Sequence, residues 1–236
     1  MSGPMRAYLD AVRYISNTST GRLGTKIADQ CLRRGAQVTF VFGTGSETPQ
    51  PTETDAERLT LIEIETLPEL LEVLRKELQD GKPQACIQAM AILDYIPEET
   101  NGGKISSDLD SLTVRLVRAP KVIEQVKNIS PTTFLVGFKL EVNVADEGLI
   151  ASARELMNRS QAEVVVGNDL ARIQGEEHPA FICERVNGDL EVEKVSGKTQ
   201  IARALCEIFE RRVAPTTSPD AKASGNSSEP RSGGLS

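Results

Sequence analysis

Short apolar runs separated by polar stretches with Gly and Pro are the main pattern along this chain. Runs of this length predict buried strands, because a strand inside a parallel sheet is covered on both faces and loses its apolar–polar alternation. The segment at 60–65 does alternate, as a half-buried strand does. The strands predicted for the main body are residues 37–42, 60–65, 85–93, 133–138 and 163–166.

Amphipathic segments lie between these strands. In the first of them Leu23, Ile27 and Cys31 recur at helical spacing, so one face of the predicted helix is apolar. The predicted helices are residues 25–34, 68–78, 120–127, 146–158 and 197–213. Strands that alternate with helices indicate a mostly parallel sheet with helices on both faces.

The predicted fold class is therefore α/β, a Rossmann-like three-layer α/β/α domain with a mostly parallel sheet and a small β-hairpin region. Asn187-Gly188, between apolar runs at 180–184 and 190–195, is a strong hairpin signal. Residues 112–117 alternate as a further strand. One domain is predicted over residues 1–213. Residues 214–236 are rich in Ser, Pro, Gly and Thr and predict a disordered tail.

The N-terminal residues do not follow this pattern. Residues 1–10 are short and polar, with Gly3 and Pro4, and predict no strand. A glycine loop that leads into a helix normally follows a central strand, so the first central strand of the sheet is expected to be missing. Each buried backbone group left unpaired by such a gap would cost about 1–3 kcal/mol. We expect residues upstream of Met1 to supply this strand in the native protein.

A polar loop at residues 12–24 runs directly into the first helix. A loop at a helix N-terminus offers free backbone N–H groups and the positive end of the helix dipole to an anion. Gly21 and Gly24 allow the backbone to approach a phosphate or a neighbouring strand. The alternative is an ordinary strand-to-helix connection with Ser or Thr as N-cap. The spacing is not the dinucleotide motif G-x-G-x-x-G.

Polar clusters stand at four places where ligands bind in open α/β sheets, beyond the carboxyl ends of strands. They are the loop from Asn17 to Gly24, Asp94 with the loop to Lys104, Phe138 with Lys139, and Asn168 with Asp169. Arg22, Lys104 and Lys139 are candidate cations for phosphates. Asp94 is a candidate acceptor for ribose hydroxyls or a base, or a metal ligand. Together the clusters indicate a nucleotide or phosphate-ester enzyme.

Each cluster also has a purely structural interpretation. Asp94 could cap the turn before Pro97, and Lys104 could be a solvated loop charge. Asn168-Asp169 could be the N-cap of a helix. The residues themselves leave these alternatives open.

Composition and charge exclude several classes of function. The chain has 236 residues, a formal net charge of −7 and a pI near 5.0, so it lacks a basic field for nucleic acid or an anionic membrane. His178 is the only histidine, which excludes His-rich metal sites and argues against Ser-His-Asp catalysis. The four cysteines have no C-x-x-C spacing and lie in apolar contexts, which predicts reduced, buried thiols and a cytoplasmic protein. No apolar run is long enough to span a membrane.

At these same clusters the sequence resembles the phosphopantothenate–cysteine ligase family. The matching segments, in the family's order, are VRYISNTSTGRLG, MAILDYIP, GKISSDLD, RAPKVI, FLVGFKLE, VVVGNDL and KTQIARAL. They extend over nearly the whole chain before the tail. The GKISS and GFKLE segments resemble the free-standing ligases rather than the ligase half of the bifunctional decarboxylase–ligase proteins, so no flavin is expected.

The resemblance implies an amide-forming reaction of coenzyme A synthesis. The carboxylate of 4′-phosphopantothenate attacks a nucleoside triphosphate in the presence of Mg²⁺, giving an acyl-nucleotide and pyrophosphate. The amine of L-cysteine then displaces the nucleotide. CTP is the favoured triphosphate and ATP is possible, because the family uses CTP in most bacteria and ATP in eukaryotes. A homodimer is a further expectation from the family.

The resemblance also implies roles for individual residues. The catalytic set is Asn17, which would hold the acyl-nucleotide, with Lys104 and Lys139 facing the triphosphate. The substrate would contact Arg13, Asn17, Met90 and Ala91. The nucleotide would contact Gly21, Arg22, Gly24, Asp94, Lys104, Phe138, Lys139 and Asn168. The metal ligands are unknown.

Two departures from the family pattern stand out. Leu156 and Ser160 occupy positions where bifunctional-type ligases carry lysines, and Lys139 would supply the charge instead. At the start, Ser2-Gly3-Pro4-Met5 stands where the family has a Gly-Gly-Thr-like turn after a strand. Two other interpretations remain: a truncated, non-catalytic relative that only binds nucleotide or phosphopantothenate, and an NAD(P)-dependent oxidoreductase. The missing G-x-G-x-x-G and Tyr-x-x-x-Lys motifs count against the oxidoreductase.

Overall fold

The computed structural model describes residues 1–175 and 177–213, and strands and helices alternate along them as predicted. The predicted tail lies outside the described residues. The strands are β1 (Arg6–Tyr8), β2 (Tyr14–Ser16), β3 (Val38–Gly43), β4 (Leu59–Ile64), β5 (Ala85–Gln88), β6 (Tyr95–Pro97), β7 (Leu116–Arg118), β8 (Phe134–Glu141), β9 (Val164–Asp169), β10 (Pro179–Val186) and β11 (Asp189–Ser196). The helices are α1 (Arg22–Arg33), α2 (Leu67–Lys76), α3 (Val122–Ile129), α4 (Asp146–Ser160) and α5 (Lys198–Arg212).

The main sheet has five strands in the order β11-β10-β9-β8-β5. Strands β5, β8 and β9 run parallel, and β10 and β11 extend the sheet as an antiparallel hairpin. Asn187 (φ 52°) and Gly188 (φ 94°) form the turn of this hairpin with the positive φ values that a type I′ turn requires. Strands β3 and β4 form a separate parallel pair. The predicted mostly parallel α/β fold is confirmed.

Residues 1–4 lie between β3 and β5, with a bend at Gly3 (φ 86°), and join the two parts of the sheet. Ser2 donates its N–H to the Val41 carbonyl at 2.9 Å, and on the other side the Ala91 N–H donates to the Gly3 carbonyl at 2.9 Å. Both contacts are parallel bridges. The expectation that nothing occupies the first central position is therefore wrong, since this short segment pairs with the carboxyl ends of both neighbours.

Two further differences from the predictions concern small hairpins. Residues 1–10 do contain a strand, β1, which pairs with β2, and β6 pairs with β7. The strand predicted at 85–93 ends at Gln88, and the one predicted at 112–117 is reduced to β7. The hairpins form because partners distant in sequence order them: the Arg6 N–H donates to the Glu65 carbonyl at 2.9 Å.

Two apolar cores cover the faces of the sheet. On one face Leu70, Val126 and Leu149 represent the core beneath α2, α3 and α4. On the other, Ile27 and Leu205 represent the core beneath α1 and α5. This is the predicted three-layer arrangement. No helix in the described ranges has both the length and the apolar character needed to cross a membrane.

His178 is buried just before β10, with 5% of its surface exposed. Neither ring nitrogen has a hydrogen-bond partner within the described part of the chain. Burial, with a smaller contribution from the positive charge of Lys198, lowers the pKa of His178 from 6.5 to about 4. The folded protein therefore keeps this ring neutral at pH values where the unfolded chain protonates it.

Acidification is expected to destabilise the fold through this histidine. As the pH falls from about 6.5 towards 4, only the unfolded state takes up the proton, so the free energy of unfolding should drop by roughly 2 kcal/mol after allowing for solvent screening. Urea unfolding of wild type and His178→Met at pH 7 and pH 4.5 would measure the effect. Carboxylates titrate alike in both proteins, so the variant should lose less stability. An equal loss in the two proteins would contradict the prediction.

Candidate active site

The polar loop before α1 meets the carboxyl edge of the sheet at Asn17. The Asn17 Nδ2 donates to the Ala91 carbonyl at 3.0 Å, and the Ala91 N–H donates to the Gly3 carbonyl at 2.9 Å. The hydroxyl of Ser16 donates to the Met5 carbonyl at 2.8 Å. Loop, N-terminal segment and the residues after β5 thus meet where sequence analysis predicts the acyl-nucleotide contact.

At the N-terminus of α1, two glycines pack closely against neighbouring segments. Gly21 has φ +79°, and a Cβ there would lie 3.1 Å from the Ser46 Cβ. A Cβ on Gly24 would lie 2.2 Å from the Ser2 Oγ and 2.5 Å from the Ser2 Cβ. The Ser2 Oγ donates to the Gly21 carbonyl at 2.9 Å. Gly24 therefore allows a neighbouring segment to pack closely, which is one of the two roles predicted for these glycines. Gly21 lies at the N-terminus of α1.

Gly24→Ala is expected to destabilise the protein because the new methyl group would overlap Ser2. Overpacking of this kind costs about 1–3 kcal/mol. Removing the opposing side chain in the double variant Gly24→Ala, Ser2→Gly should recover part of the loss, although it also removes the hydrogen bond to Gly21. Thermal unfolding of the two single variants and the double variant would measure the coupling. Strictly additive losses would show that the two residues do not clash.

Asp10 is a buried acid beside the candidate site that the sequence did not single out. Its side chain is fully buried. Oδ1 accepts from the backbone N–H groups of Val12 at 2.9 Å and Arg13 at 2.7 Å, while Oδ2 accepts from Arg13 Nη1 at 2.9 Å and the Ile105 N–H at 3.0 Å. The amide of Val12, then those of Ile105 and Arg13, hold the pKa of Asp10 below its usual range against the effect of burial.

These contacts tie Arg13 to the loop that carries Lys104. Arg13 Nη1 also donates to the Ile105 carbonyl at 3.3 Å, and the Ala11 N–H donates to the Gly103 carbonyl at 3.2 Å. Lys104 itself is exposed. Arg13, predicted to bind the substrate, and Lys104, predicted to be catalytic, therefore lie on two loops that are joined by hydrogen bonds. An acid two or three residues before the amides it binds is a recognised turn signal and could have indicated Asp10.

Phe138 and Asn168 lie on the same face of the sheet, the one covered by α1 and α5. Phe138 packs against that core and pairs in register with Val166, two residues before Asn168. Lys139 is the next residue along β8 and lies on the opposite face, where it forms an ion pair with Glu141 at 3.2 Å. The structure thus places Phe138 and Asn168 on the side of the loop at α1, and Lys139 on the side of α4.

Other predicted residues have structural partners of their own. Asp94 forms an ion pair with Lys121, and Arg22 pairs with Glu47 at 2.6 Å. Met90 is only 6% exposed and packs in the core, whereas its neighbour Ala91 is half-buried. Asp94 and Arg22 would have to leave their present ion-pair partners to bind a ligand. Met90 and Ala91 would contact a substrate through their backbone groups.

Asp169, Leu156 and Ser160 each contribute to the local structure. Asp169 accepts from the Ala171 N–H at 3.0 Å and caps the short 3₁₀ turn that follows, which confirms the capping interpretation for this residue. Leu156 and Ser160, at the positions where bifunctional-type ligases carry lysines, are buried in α4, where the Ser160 hydroxyl donates to the Leu156 carbonyl at 2.7 Å. A lysine at either position would have to leave the core.

Comparison with known proteins places this geometry in a family. Residues 1–212 match the DNA/pantothenate metabolism flavoprotein C-terminal domain family. The chain belongs to this family. The coenzyme A biosynthesis bifunctional protein CoaBC of Thermococcus kodakarensis is 36% identical over 184 residues, which is 78% of this chain and 44% of that protein. The CoaBC of Methanocaldococcus jannaschii is 28% identical over 215 residues, 90% of this chain and 50% of that protein. The chain thus spans about half the length of these relatives.

Two solved structures have a similar fold. The DNA/pantothenate metabolism flavoprotein from Streptococcus pneumoniae superposes with a TM-score of 0.80 at 30% identity, covering 89% of this chain and 96% of that one. The structure titled Cab2 mutant H337A complex with phosphopantothenate-cysteine superposes with a TM-score of 0.71 at 19% identity, covering 89% of this chain and 85% of that one, a likeness of fold alone.

Proposed function

We propose that this member of the family is a phosphopantothenate–cysteine ligase that works through an acyl-nucleotide. The observation that carries the proposal is the contact of the Asn17 side-chain amide with the Ala91 carbonyl, beside the glycine-lined N-terminus of α1. It brings the residue predicted for the intermediate to a residue predicted for the substrate. That the same fold was solved with phosphopantothenate-cysteine in Cab2 supports the choice of substrates.

The reaction has two balanced steps. The carboxylate of 4′-phosphopantothenate attacks the α-phosphorus of a nucleoside triphosphate, and the bond to pyrophosphate breaks. The amine of L-cysteine then attacks the acyl carbon, loses a proton, and displaces the nucleoside monophosphate to leave the amide. Positioning and charge neutralisation dominate such a reaction, because a carboxylate becomes a good electrophile only once its oxygen belongs to a good leaving group.

Individual residues have distinct tasks in this proposal. Asn17 would donate a hydrogen bond to the acyl-phosphate region, and Arg13, held by Asp10, would pair with an anionic group of the substrate. Lys104 would reach the phosphates from its exposed loop. The backbone at Gly21 would face phosphate oxygens at the helix N-terminus. Phe138 and Asn168 would line the nucleoside, on the same side of the sheet as α1.

Mg²⁺ is the proposed metal, and its role would be to neutralise the triphosphate. The described residues contain no group of three or more His, Cys, Asp or Glu side chains that could hold a metal. Mg²⁺ is usually held by substrate phosphates and one or two carboxylates. Asp94 is the candidate carboxylate, and it would have to exchange its Lys121 partner for the ion.

A homodimer in the cytoplasm is the proposed state of the protein. The two small hairpins are linked, since the Asn101 N–H donates to the Leu9 carbonyl at 2.9 Å. Their surface exposes apolar side chains, with Val12 59%, Tyr95 50% and Leu116 42% exposed. Exposed apolar side chains on two neighbouring hairpins are what an interface would cover. Light scattering of wild type and Leu116→Arg should show a dimer and a monomer, respectively, and a wild-type monomer would rule the dimer out.

The test of the function is pyrophosphate release with substrates omitted in turn. Turnover should require 4′-phosphopantothenate, L-cysteine, Mg²⁺ and either CTP or ATP, run side by side to identify the nucleotide. Ligand-dependent thermal stabilisation without pyrophosphate would favour the non-catalytic relative. Thermal stabilisation of the protein by NADPH would favour the oxidoreductase.

A further inference from the structure

Cys31 on α1 and Cys206 on α5 face each other where the two helices pack. Their Sγ atoms are 3.6 Å apart. Cys206 is 3% exposed, while Cys31 is only partly buried. The prediction that all four cysteines are buried is thus wrong for Cys31 and for Cys86, which is also partly exposed. The described structure places one pair of thiols in contact, across an interface that solvent reaches from one side.

The surroundings of the pair favour reaction of its sulfurs. The hydrogen bond from Cys31 lowers the pKa of Cys206, and the nearby Arg34 guanidinium lowers it further against the effect of burial. The same hydrogen bond, with burial, raises the pKa of Cys31, so the thiolate of the pair forms first at Cys206. Arg34 also ties the helices together through an ion pair with Glu210 at 2.9 Å.

The other two cysteines are less reactive by the same criteria. Burial raises the pKa of Cys86, and it raises the pKa of Cys183 to about 11. Since the thiolate is the reactive form, oxidation should select the Cys31–Cys206 pair. Cys86 is the natural control, because it is partly exposed like Cys31 but lies on β5, in the main sheet.

We propose that Cys31 and Cys206 are a site of reversible intramolecular disulfide formation, with a hydroperoxide as oxidant. A disulfide has an S–S distance of about 2.0 Å, so the sulfurs must approach by roughly 1.6 Å from their contact at 3.6 Å. Rotation of the side chains with a small shift of the two helices can provide this closure.

The oxidation balances in two steps. The thiolate of the pair attacks one oxygen of the hydroperoxide, the O–O bond breaks, and a sulfenic acid forms while the other oxygen leaves as water or an alcohol. The second thiol attacks the sulfenic sulfur, the S–O bond breaks, and water leaves as the S–S bond forms. The two thiols lose two electrons and two protons in total, and the peroxide is reduced. A reducing thiol reverses the reaction by disulfide exchange.

The cross-link would fasten α1 to the C-terminal part of the domain. It would connect residues 175 positions apart in sequence, which restricts the unfolded chain strongly. Because α1 begins at the candidate anion site, oxidation would also hold the helix that carries this site against α5. The oxidised protein should therefore be the more heat-resistant form.

The test uses the full chain treated with hydrogen peroxide under native conditions. The mass should fall by about 2 Da and two of the four thiols should be lost, with a linked peptide containing Cys31 and Cys206 and recovery after reduction. The Tm should rise by about 5 °C or more. Cys31→Ser should abolish the link and the shift, while Cys86→Ser should retain both.

Three results would overturn the proposal. One is a 2 Da loss that persists in Cys31→Ser, since another pair would then be responsible. Another is oxidation of Cys31 or Cys206 alone to a sulfenic or sulfinic acid, without a linked peptide. The third is no reaction of the pair at peroxide doses that oxidise Cys86. None of these outcomes bears on the ligase activity, which is measured with the reduced protein.

Discussion

Replacing Asn17 by Asp is expected to lower the turnover number of the ligase reaction at least about 100-fold, or ~2.7 kcal/mol of transition-state stabilisation. The side-chain amide donates to the Ala91 carbonyl at 3.0 Å, and an ionised carboxylate cannot donate. The variant would also place a negative charge beside an anionic acyl-nucleotide, where the wild type offers an amide N–H. Steady-state pyrophosphate release measures the loss.

Asn158→Asp is the matched control for this change. Asn158 lies on α4 and accepts a hydrogen bond from Arg185 Nη2 at 2.7 Å through Oδ1, an interaction that an Asp would keep. The same chemical change at this position should leave turnover within about twofold of wild type. A similar loss in both variants, or full activity of Asn17→Asp, would remove Asn17 from the proposed role.

Asp10→Asn is expected to weaken both the fold and substrate binding. The amide nitrogen of Asn would face one of the N–H groups that the carboxylate now accepts, leaving a buried donor unpaired. The Tm should fall by about 5 °C or more. Because Arg13 loses its ionic partner, the KM for 4′-phosphopantothenate should rise about tenfold while kcat changes less. Thermal unfolding and initial rates of the folded variant separate the two effects.

Asp110→Asn provides the comparison for Asp10. Asp110 is exposed and lies between β6 and β7, in the connection whose residue Ile105 contacts Asp10. Neither its Tm nor its KM should change measurably. The lowered pKa of Asp10 also gives its contribution a pH dependence: it is present above the ordinary value of 3.8 and is lost as the pH falls through the folded value. A drop in Tm without any change in KM would limit Asp10 to a structural role.

The layered fold could be predicted from sequence because long elements carry strong local signals. Apolar strands such as β8 and β9, and the Asn187-Gly188 turn, are each set by residues within a few positions of one another. The small hairpins could not be predicted in this way. β1 has three residues, and its order depends on Glu65, whose carbonyl accepts from Arg6 across 59 positions of sequence. Likewise, residues 1–4 carry no strand signal of their own, and their place in the sheet depends on bridges to Phe42 and Ala91, which are distant in sequence.

The candidate site was predictable in part for related reasons. Polar residues beyond strand ends predict a site at one edge of the sheet, and the resemblance implies roles there for Asn17 and Ala91, which are in contact. Phe138 and Lys139, both implied for the nucleotide site by the resemblance, are consecutive residues of β8 and so lie on opposite faces of the sheet. The turn around Asp10 carries a local signal, but the contact of Asp10 with Ile105, 95 positions away, could not be predicted from the sequence.

The most direct test of the central claim is a single-turnover reaction with 4′-phosphopantothenate, Mg²⁺ and the preferred nucleotide but without L-cysteine. About one pyrophosphate per active site should be released, and mass spectrometry should detect an acyl-nucleotide on the protein, which cysteine then converts to the amide. In Asn17→Asp the intermediate should not accumulate. Amide formation in the complete mixture with no acyl-nucleotide at any time, or with the nucleotide cleaved to a diphosphate and phosphate, would exclude the acyl-nucleotide mechanism.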